Sequence, residues 1–280
     1  MRNYDRINAL PPDRIAEKSA HIVGGGIAGL SVAAFLVTDA SMPADHVTIY
    51  ETLSLMGGSM DAAGNAKTGY TSRGERELEP YMECLWYLCS KVPSLQTPRS
   101  TILDETHRAN VRERINSHYR LMERHGRLYN YSGPLMSAYD AMRMLELQLT
   151  PESELELMTP ADWFSPQFKD SVFWLCWSSM LAFRDYHSLI EVRRYVLRFM
   201  MHDHSMTHLG GILHTEFNEY DSVIKPMRVW LESLGVRFRA GTTVTDIATQ
   251  DIGSETIATE LSISDASVRK ARCGIAAMPP

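Results

Sequence analysis

The sequence has few of the features that mark secreted, zinc-binding or nucleic-acid-binding proteins. Its 280 residues include four cysteines and no C-x-x-C pair, so neither a disulfide framework nor a zinc site is indicated. The net charge of −6 leaves no overall basic excess to neutralise phosphates, and we expect no nucleic-acid partner. No basic segment followed by an apolar run opens the chain, which predicts a cytoplasmic protein rather than a secreted one.

Long hydrophobic runs are also missing. The longest apolar stretch, residues 22–37, is interrupted by glycines and is better interpreted as a strand, a turn and a helix than as a membrane span. A chain that is 44% hydrophobic and 22% charged is typical of a globular protein. Its length suits one large α/β domain or two smaller domains.

Two short apolar runs flank a longer helical stretch near the start of the chain. Ala20–Val23 and Val47–Tyr50 have the length of buried strands, and Ile27–Leu36 is apolar and rich in alanine. Adjacent parallel strands require a crossover connection, usually a helix. The pattern therefore predicts a βαβ unit.

A glycine-rich turn lies between the first strand and the helix of this unit. Residues 24–29, GGGIAG, fit the pattern G-x-G-x-x-G, in which each glycine has a steric reason. Gly24 permits a tight turn, Gly26 lets the backbone approach a pyrophosphate, and Gly29 allows the helix to pack closely on the strand. Glu51 closes the second strand, where a carboxylate can accept hydrogen bonds from ribose hydroxyls. This context favours dinucleotide binding over a plain glycine turn.

A second glycine pair follows the acidic residue. Gly57-Gly58-Ser59 is typical of FAD-binding folds, although a flexible loop would have the same composition. Arg73 and Arg76 come shortly afterwards. They either contact phosphate or pair with neighbouring glutamates on a solvated face, and from the residues alone the solvated face is favoured.

The middle of the chain is rich in helix signals, and short strand patterns follow it. Thr150 and Thr159 each precede a proline as helix caps, and Pro226 must kink a helix over Glu219–Leu234 or sit in its first turn. We expect an α/β fold, a Rossmann-like FAD/NAD(P)-binding domain with a large, mainly helical insertion. Helices are predicted over Ser171–Phe183 and His187–Met201, and a strand meander over Val236–Phe238, Thr242–Ile247 and Thr256–Ile263. The predicted divisions are a lead-in at 1–19, the FAD-binding part at 20–99, the helical substrate-domain insertion at 100–215, the return to the FAD-binding domain at 216–265 and a divergent tail at 266–280.

A series of longer motifs occurs in a fixed order over residues 18–250. They are GGGIAGL, VTIYE, GGSMDAAGN, RGERELEPYMECLWYL, KVPSL, TPADWFSPQF, FWLCW, HSLIEVRRYVLRF, FNEYDSVIKP and GTTVTDI. In these motifs the chain resembles the oleate hydratases, also called the myosin-cross-reactive antigen family. The resemblance implies FAD, required without net redox change, and the addition of water to the cis double bond of oleic or linoleic acid to give 10-hydroxy fatty acids. It also implies an unsaturated free fatty acid as partner, and it leaves peripheral membrane contact and a homodimer open.

The resemblance also implies roles for individual residues. The family's R-G-G-R-E-M loop corresponds to residues 73–78, which places its water-activating glutamate at Glu77. Its proton-donating tyrosine corresponds to Tyr195. The implied cofactor contacts are Gly24, Gly26, Ala28, Gly29, Glu51, Gly58, Ser59, Arg73, Glu77 and Val244, and no metal ligands are expected.

Two features of the chain depart from the family. Glu75 replaces the second glycine of the loop and Leu78 its methionine, and the chain is shorter than family members, as if truncated at its C-terminus. From the helical periodicity alone, Tyr195 would be a core aromatic residue on an apolar stripe with Val192 and Phe199.

Two alternative functions remain open. One is a flavin oxidoreductase of the amine-oxidase or desaturase type, and the other is an inactive remnant that binds flavin or lipid.

Overall fold

The structure is a computed structural model that describes residues 11–71, 78–115, 121–122, 124–129, 133–199, 211–265 and 271–274. The chain divides into two compact units. One comprises Met1–Glu113 together with His214–Pro280, and the other comprises Arg114–Leu213. The domain limits given above remain predictions.

Strands and helices alternate at the start of the chain, helices dominate its middle, and strands follow. The strands are β1 (Ala20–Val23), β2 (Val47–Glu51), β3 (Gly64–Asn65), β4 (Gly69–Tyr70), β5 (Arg237–Ala240), β6 (Thr242–Ile252), β7 (Glu255–Asp265) and β8 (Ala271–Gly274). The helices are α1 (Ile27–Thr38), α2 (Glu83–Cys89), α3 (Ile102–Arg112), α4 (Ala138–Leu149), α5 (Pro160–Trp163), α6 (Val172–Leu181), α7 (Leu189–Phe199) and α8 (Lys225–Leu234).

The first unit is built on a parallel sheet with strand order β1-β2-β5. Ile22 pairs with Ile49, and Ile49 pairs in turn with Phe238, so β2 is the central strand. Helix α1 connects β1 to β2, and α8 packs beside it. The predicted βαβ unit and the α/β fold class are confirmed.

Strand β2 is buried on both faces, as expected for the centre of a parallel sheet. Val47 and Ile49 lie in the main core with Leu30 of α1 and Leu231 of α8. Tyr50 points to the opposite face, where it packs with a smaller apolar cluster formed by Leu261, Ile263 and Val244. The sheet therefore separates a helical layer from an antiparallel layer.

The prediction of a three-strand meander after the last helix was wrong in its first strand. Arg237–Ala240 joins the parallel sheet beside β2, and the antiparallel sheet has the order β6-β7-β8. The reason is that hydrogen bonding to a central strand far away in sequence outcompetes pairing with the next strand along the chain. β6 and β7 form a long hairpin with two register irregularities.

The segment predicted as one helix over Glu219–Leu234 has two parts. Tyr220–Ile224 is a π-helical turn, and α8 continues directly from it with Pro226 in its first turn. Gly235 ends α8 in the left-handed conformation, with φ of 111°, as predicted.

The second unit consists of helices around an aromatic core. Phe168, Phe173, Trp174 and Trp177 are buried there and pack ring against ring, and Val192 and Val196 of α7 close the cluster. No helix in the described ranges is long and apolar enough to cross a membrane.

The two predicted threonine caps of this unit have different outcomes. Thr159 and Asp162 form a capping box at α5, with Pro160 in its first turn, as predicted. Thr150 instead ends α4 as its C-cap and donates its hydroxyl to the carbonyl of Glu146, while the N-cap of the short 3-10 turn that follows is Pro151, so the predicted N-cap role of Thr150 was wrong.

Candidate functional site

The turn between β1 and α1 is shaped by its glycines. Gly24 has φ of +102°, which side-chain-bearing residues rarely adopt. A Cβ at Gly29 would lie 2.0 Å from the carbonyl oxygen of Gly24, so only glycine allows α1 to pack this closely on the turn. A Cβ at Gly26 would meet only ordinary contacts, the nearest at 3.7 Å. Packing within the chain therefore does not require a glycine at position 26, which fits a role of Gly26 in admitting a ligand.

Glu51 holds its carboxylate against this turn. One oxygen, Oε2, accepts a hydrogen bond from the backbone N–H of Gly25 at 2.8 Å, and Oε1 accepts one from that of Leu53 at 2.9 Å. The residue as a whole is half-buried beside the turn. The second strand thus delivers a fixed acid next to the glycine loop, as predicted.

The second glycine pair packs directly on the first loop. Gly57 donates its N–H to the carbonyl of Gly25 at 2.9 Å, and a Cβ at Gly58 would lie 3.3 Å from the Cα of Gly26. A Cβ at Gly25 would collide with the sulfur of buried Met56 at 2.1 Å. The G-x-G-x-x-G pattern leaves position 25 free, so the crowding at this position comes from the packing of the two loops. The run of three glycines was its only sequence signal.

The arrangement suits the pyrophosphate and ribose of a dinucleotide. Gly26 caps α1 in extended backbone, and its carbonyl accepts the N–H of Leu30. The first amides of α1 therefore point out of the helix start, where the helix dipole favours anions. Ala28 in this first turn is exposed. Such a cofactor needs backbone N–H groups that donate to its phosphates, glycines that let it approach and a carboxylate that accepts from its ribose, and the turn offers all three, with Gly24, Gly26 and Gly58 forming a glycine cradle.

An apolar cavity of about 210 Å³ lies in the same unit, bounded by the start of α1 and the loop after the second glycine pair. Among the described residues that line it, Glu219 is the only charged one. The remaining lining residues are Ile27, Met60, Leu78, Met82, Leu85, Trp86, Cys89, Thr106, Thr215 and Val223. Burial raises the pKa of the Cys89 thiol to about 12, so the group is neutral and behaves as part of an apolar wall. Sequence reasoning missed this cavity, because its walls come from five separate segments.

Tyr195 lies on α7 in the second unit. Leu189, Val192 and Val196 form the buried face of this helix, whereas Tyr195 is 40% exposed. Its ring meets that of Phe183 edge to face at 5.2 Å. The residue therefore stands at the rim of the aromatic core and not in its interior.

Several of the predicted site residues do not belong to the first glycine turn, and some of them lie outside the residues that the structure describes. Arg73 and Glu77 fall outside them, as do Glu75 and Arg76. Ser59 is exposed in a helical turn directly after the second glycine pair, and Val244 is half-buried at the start of β6, against Tyr50. Within the described ranges, no group of three or more His, Cys, Asp or Glu is placed to hold a metal ion.

Comparison with known proteins identifies the relatives of this chain. The model of the MCRA family matches residues 17–276, which is most of the sequence. The chain belongs to the MCRA family. The matched range includes the glycine loops, Glu51 and the cavity wall of the first unit, and Tyr195 of the second unit.

Two curated proteins align with nearly the whole chain. It is 33% identical to an oleate hydratase of Streptococcus pyogenes over 260 residues, which is 93% of this chain and 44% of that protein. It is 26% identical to a linoleate hydratase of Lactiplantibacillus plantarum in an alignment 276 positions long, which covers 90% of this chain and 48% of that protein. The chain thus spans about half the length of these relatives.

Solved structures share the fold at low sequence identity. A fatty acid isomerase from P. acnes that produces CLA superimposes with a TM-score of 0.55 at 14% identity, covering 92% of this chain and 57% of that one. An oxidoreductase from Methanosarcina mazei superimposes with a TM-score of 0.53 at 17% identity, covering 89% and 57%. These similarities support the fold alone.

Proposed function

We propose that this chain forms the cofactor-binding and helical part of an FAD-dependent fatty acid hydratase, acting on unsaturated fatty acids of the oleate or linoleate type. The observation that supports this proposal most is the MCRA match across a glycine cradle with a fixed acid at Glu51. The relatives named above are an oleate hydratase and a linoleate hydratase. The apolar cavity beside the cradle provides the dry surroundings that an alkyl chain requires.

The cofactor contacts follow from the geometry of the first unit. Gly24 and Gly26 would admit the pyrophosphate, the first amides of α1 would donate to it, and Glu51 would accept ribose hydroxyls. Gly58 and Ser59 continue this surface on the neighbouring loop. When bound, FAD would supply shape and charge beside the reacting alkene without net redox chemistry.

Hydration of an isolated alkene requires a proton on one carbon and water on its neighbour. In our proposal the hydroxyl of Tyr195 gives its proton to one alkene carbon, because phenols keep their proton at neutral pH. Glu77 takes a proton from the water whose oxygen bonds to the adjacent carbon, and its charge favours the cation-like transition state. Proton return from Glu77 to Tyr195 through solvent completes the balance, so the product has gained one water.

The direct test is incubation with FAD and oleate in heavy water, using this chain completed with the C-terminal half of a homologous hydratase. The proposal predicts a product heavier by one water, with one deuterium bound to carbon. A dehydrogenated product would instead indicate an oxidoreductase. Flavin binding without any product, with the homologous full-length enzyme active in parallel, would indicate a remnant that binds flavin only.

Glu77→Gln tests the water-activating role in the same completed chain. The substitution keeps the shape and removes the base, so turnover should fall by about a hundredfold or more while flavin retention persists. Glu75→Gln makes the same chemical change two residues away and is the matched control. Hydration at the normal rate by the Glu77 variant would refute the assignment.

A further inference from the structure

His214 stands where the chain re-enters the first unit, and both of its ring nitrogens face carbonyl oxygens. Nε2 lies 2.7 Å from the carbonyl oxygen of Glu113, and Nδ1 lies 3.0 Å from that of Thr215. A neutral imidazole carries one N–H and can donate to only one of them, whereas the imidazolium donates to both. The contacts therefore select the protonated ring.

The backbone around this ring is fixed by a second pair of contacts. His214 donates its backbone N–H to Oδ1 of Asn110 at 3.0 Å, and Nδ2 of Asn110 donates to the carbonyl of His214 at 2.7 Å. Asn110 and Glu113 belong to the end of α3 and the residue after it. The end of α3 and the returning segment are thus joined by two hydrogen bonds of the Asn110 amide and one of the His214 ring.

The charges that face the ring favour its cationic form. Glu113 precedes the point where the chain leaves the unit, and Glu216 lies on the returning segment. Arg112 of α3 pairs with both, through Nη2 to Glu216 at 2.9 Å and through Nε to Glu113 at 3.2 Å, and partly offsets their effect. The hydrogen bonds to the two carbonyls, together with these carboxylates, raise the pKa of His214 above its ordinary value.

The returning segment also forms part of the apolar cavity. Two of its residues, Thr215 and Glu219, line the cavity. The carbonyl of Thr215 also accepts a hydrogen bond from the His214 ring. A change in how residues 214–219 are held therefore changes one wall of the cavity. This consequence for substrate binding rests on the proposed function, whereas the contacts of His214 do not.

We propose that protonated His214 is a pH-sensitive clasp, which holds residues 214–219 against the end of α3 and loosens when the ring loses its proton. The direction follows from the raised pKa. A group whose pKa is raised by folding stabilises the folded state fully at low pH, and this contribution is lost as the pH rises through the folded-state pKa. The clasp is thus closed in mildly acidic solution and weakens toward alkaline pH.

Amide hydrogen exchange tests the clasp without cofactor or substrate. Protection of the peptide covering 214–219, corrected for the intrinsic pH dependence of exchange, is measured between about pH 5 and pH 8.5. The wild-type chain should lose protection by about tenfold as the pH rises, which corresponds to the loss of one hydrogen bond from a charged donor. Constant protection of the wild type over this range would overturn the proposal, whatever the variants do.

Three substitutions sharpen the test. His214→Gln should show low protection at every pH, and His214→Lys, which keeps a cation with several donors, should show high protection at every pH. His107→Gln removes an exposed histidine from the same helix and should follow the wild type. Persistence of the full pH dependence in His214→Gln would assign it to another group and overturn the proposal. Because no flavin is present, failure of the hydratase proposal would leave this result intact.

Discussion

The carboxylate of Glu51 accepts the N–H of Gly25 at 2.8 Å, so the acid that ends the second strand is oriented by the glycine turn it adjoins. Its other oxygen is held by the N–H of Leu53. An acceptor that is already ordered loses little side-chain freedom when a ribose binds. This relationship makes Glu51 the first residue to test.

Glu51→Ala should weaken FAD binding, because it removes a charged hydrogen-bond acceptor for the ribose. It also leaves the backbone amides of Gly25 and Leu53 without the carboxylate that accepts from them. A loss of about 1.5–3 kcal/mol corresponds to roughly ten- to hundredfold in Kd. Flavin titration measures it, and Glu156→Ala, an exposed glutamate of the other unit, is the control. Unchanged affinity would remove the main support for the cradle as the cofactor site.

Two glycine-to-alanine changes separate packing from ligand binding. Gly29→Ala places a methyl group 2.0 Å from the carbonyl oxygen of Gly24, so the first unit should be destabilised by several kcal/mol, about the cost of severe overpacking. Gly26→Ala meets no contact closer than 3.7 Å, so its melting temperature should stay close to wild type while flavin affinity falls at least about tenfold. Thermal melts and flavin titrations on both variants check this. Strong flavin binding by Gly26→Ala would show that the cofactor backbone does not approach this position.

The two cysteines of α2 report on the cavity wall. Cys89 is buried with its pKa raised to about 12, whereas Cys84 is exposed. Because the thiolate is the reactive form, iodoacetamide at pH 8 should alkylate Cys84 and leave Cys89 largely unmodified in the folded protein. Peptide mass spectrometry measures both, and Cys84→Ser confirms the assignment. Equal labelling would mean that α2 does not pack as described.

The sequence predicted best where a local rule determines the structure. The strand, turn and helix around Gly24 and Gly29 follow from steric requirements that act within a few residues. The end of α8 at Gly235 follows from the left-handed conformation that glycine adopts easily.

Prediction from the sequence failed where contacts between distant segments determine the structure. Nothing near Arg237 indicates that its strand pairs with β2, because the partner lies far away in sequence. The collision of a side chain at Gly25 with Met56 and the double carbonyl contact of His214 are likewise invisible in any window of the sequence.

Tyr195→Phe distinguishes a catalytic hydroxyl from a structural one. The substitution removes one oxygen and almost no volume, and the ring packing against Phe183 is kept. If the hydroxyl donates the proton to the alkene, turnover of the completed chain should fall by about a hundredfold or more with little change in melting temperature. A structural hydroxyl predicts the reverse, a loss of about 0.5–1.5 kcal/mol in stability with activity kept.

Rate and melting temperature should be measured on the same Tyr195→Phe preparation, with Tyr186→Phe as the control. Tyr186 is 71% exposed in the same unit, so its hydroxyl should affect neither quantity. Tyr195 is 40% exposed, and removing a polar group costs less stability at a partly exposed residue than in a buried one, which favours a small stability effect. A lowered melting temperature with undiminished turnover would therefore contradict both the proton-donor role and the position of this ring at the rim of the aromatic core.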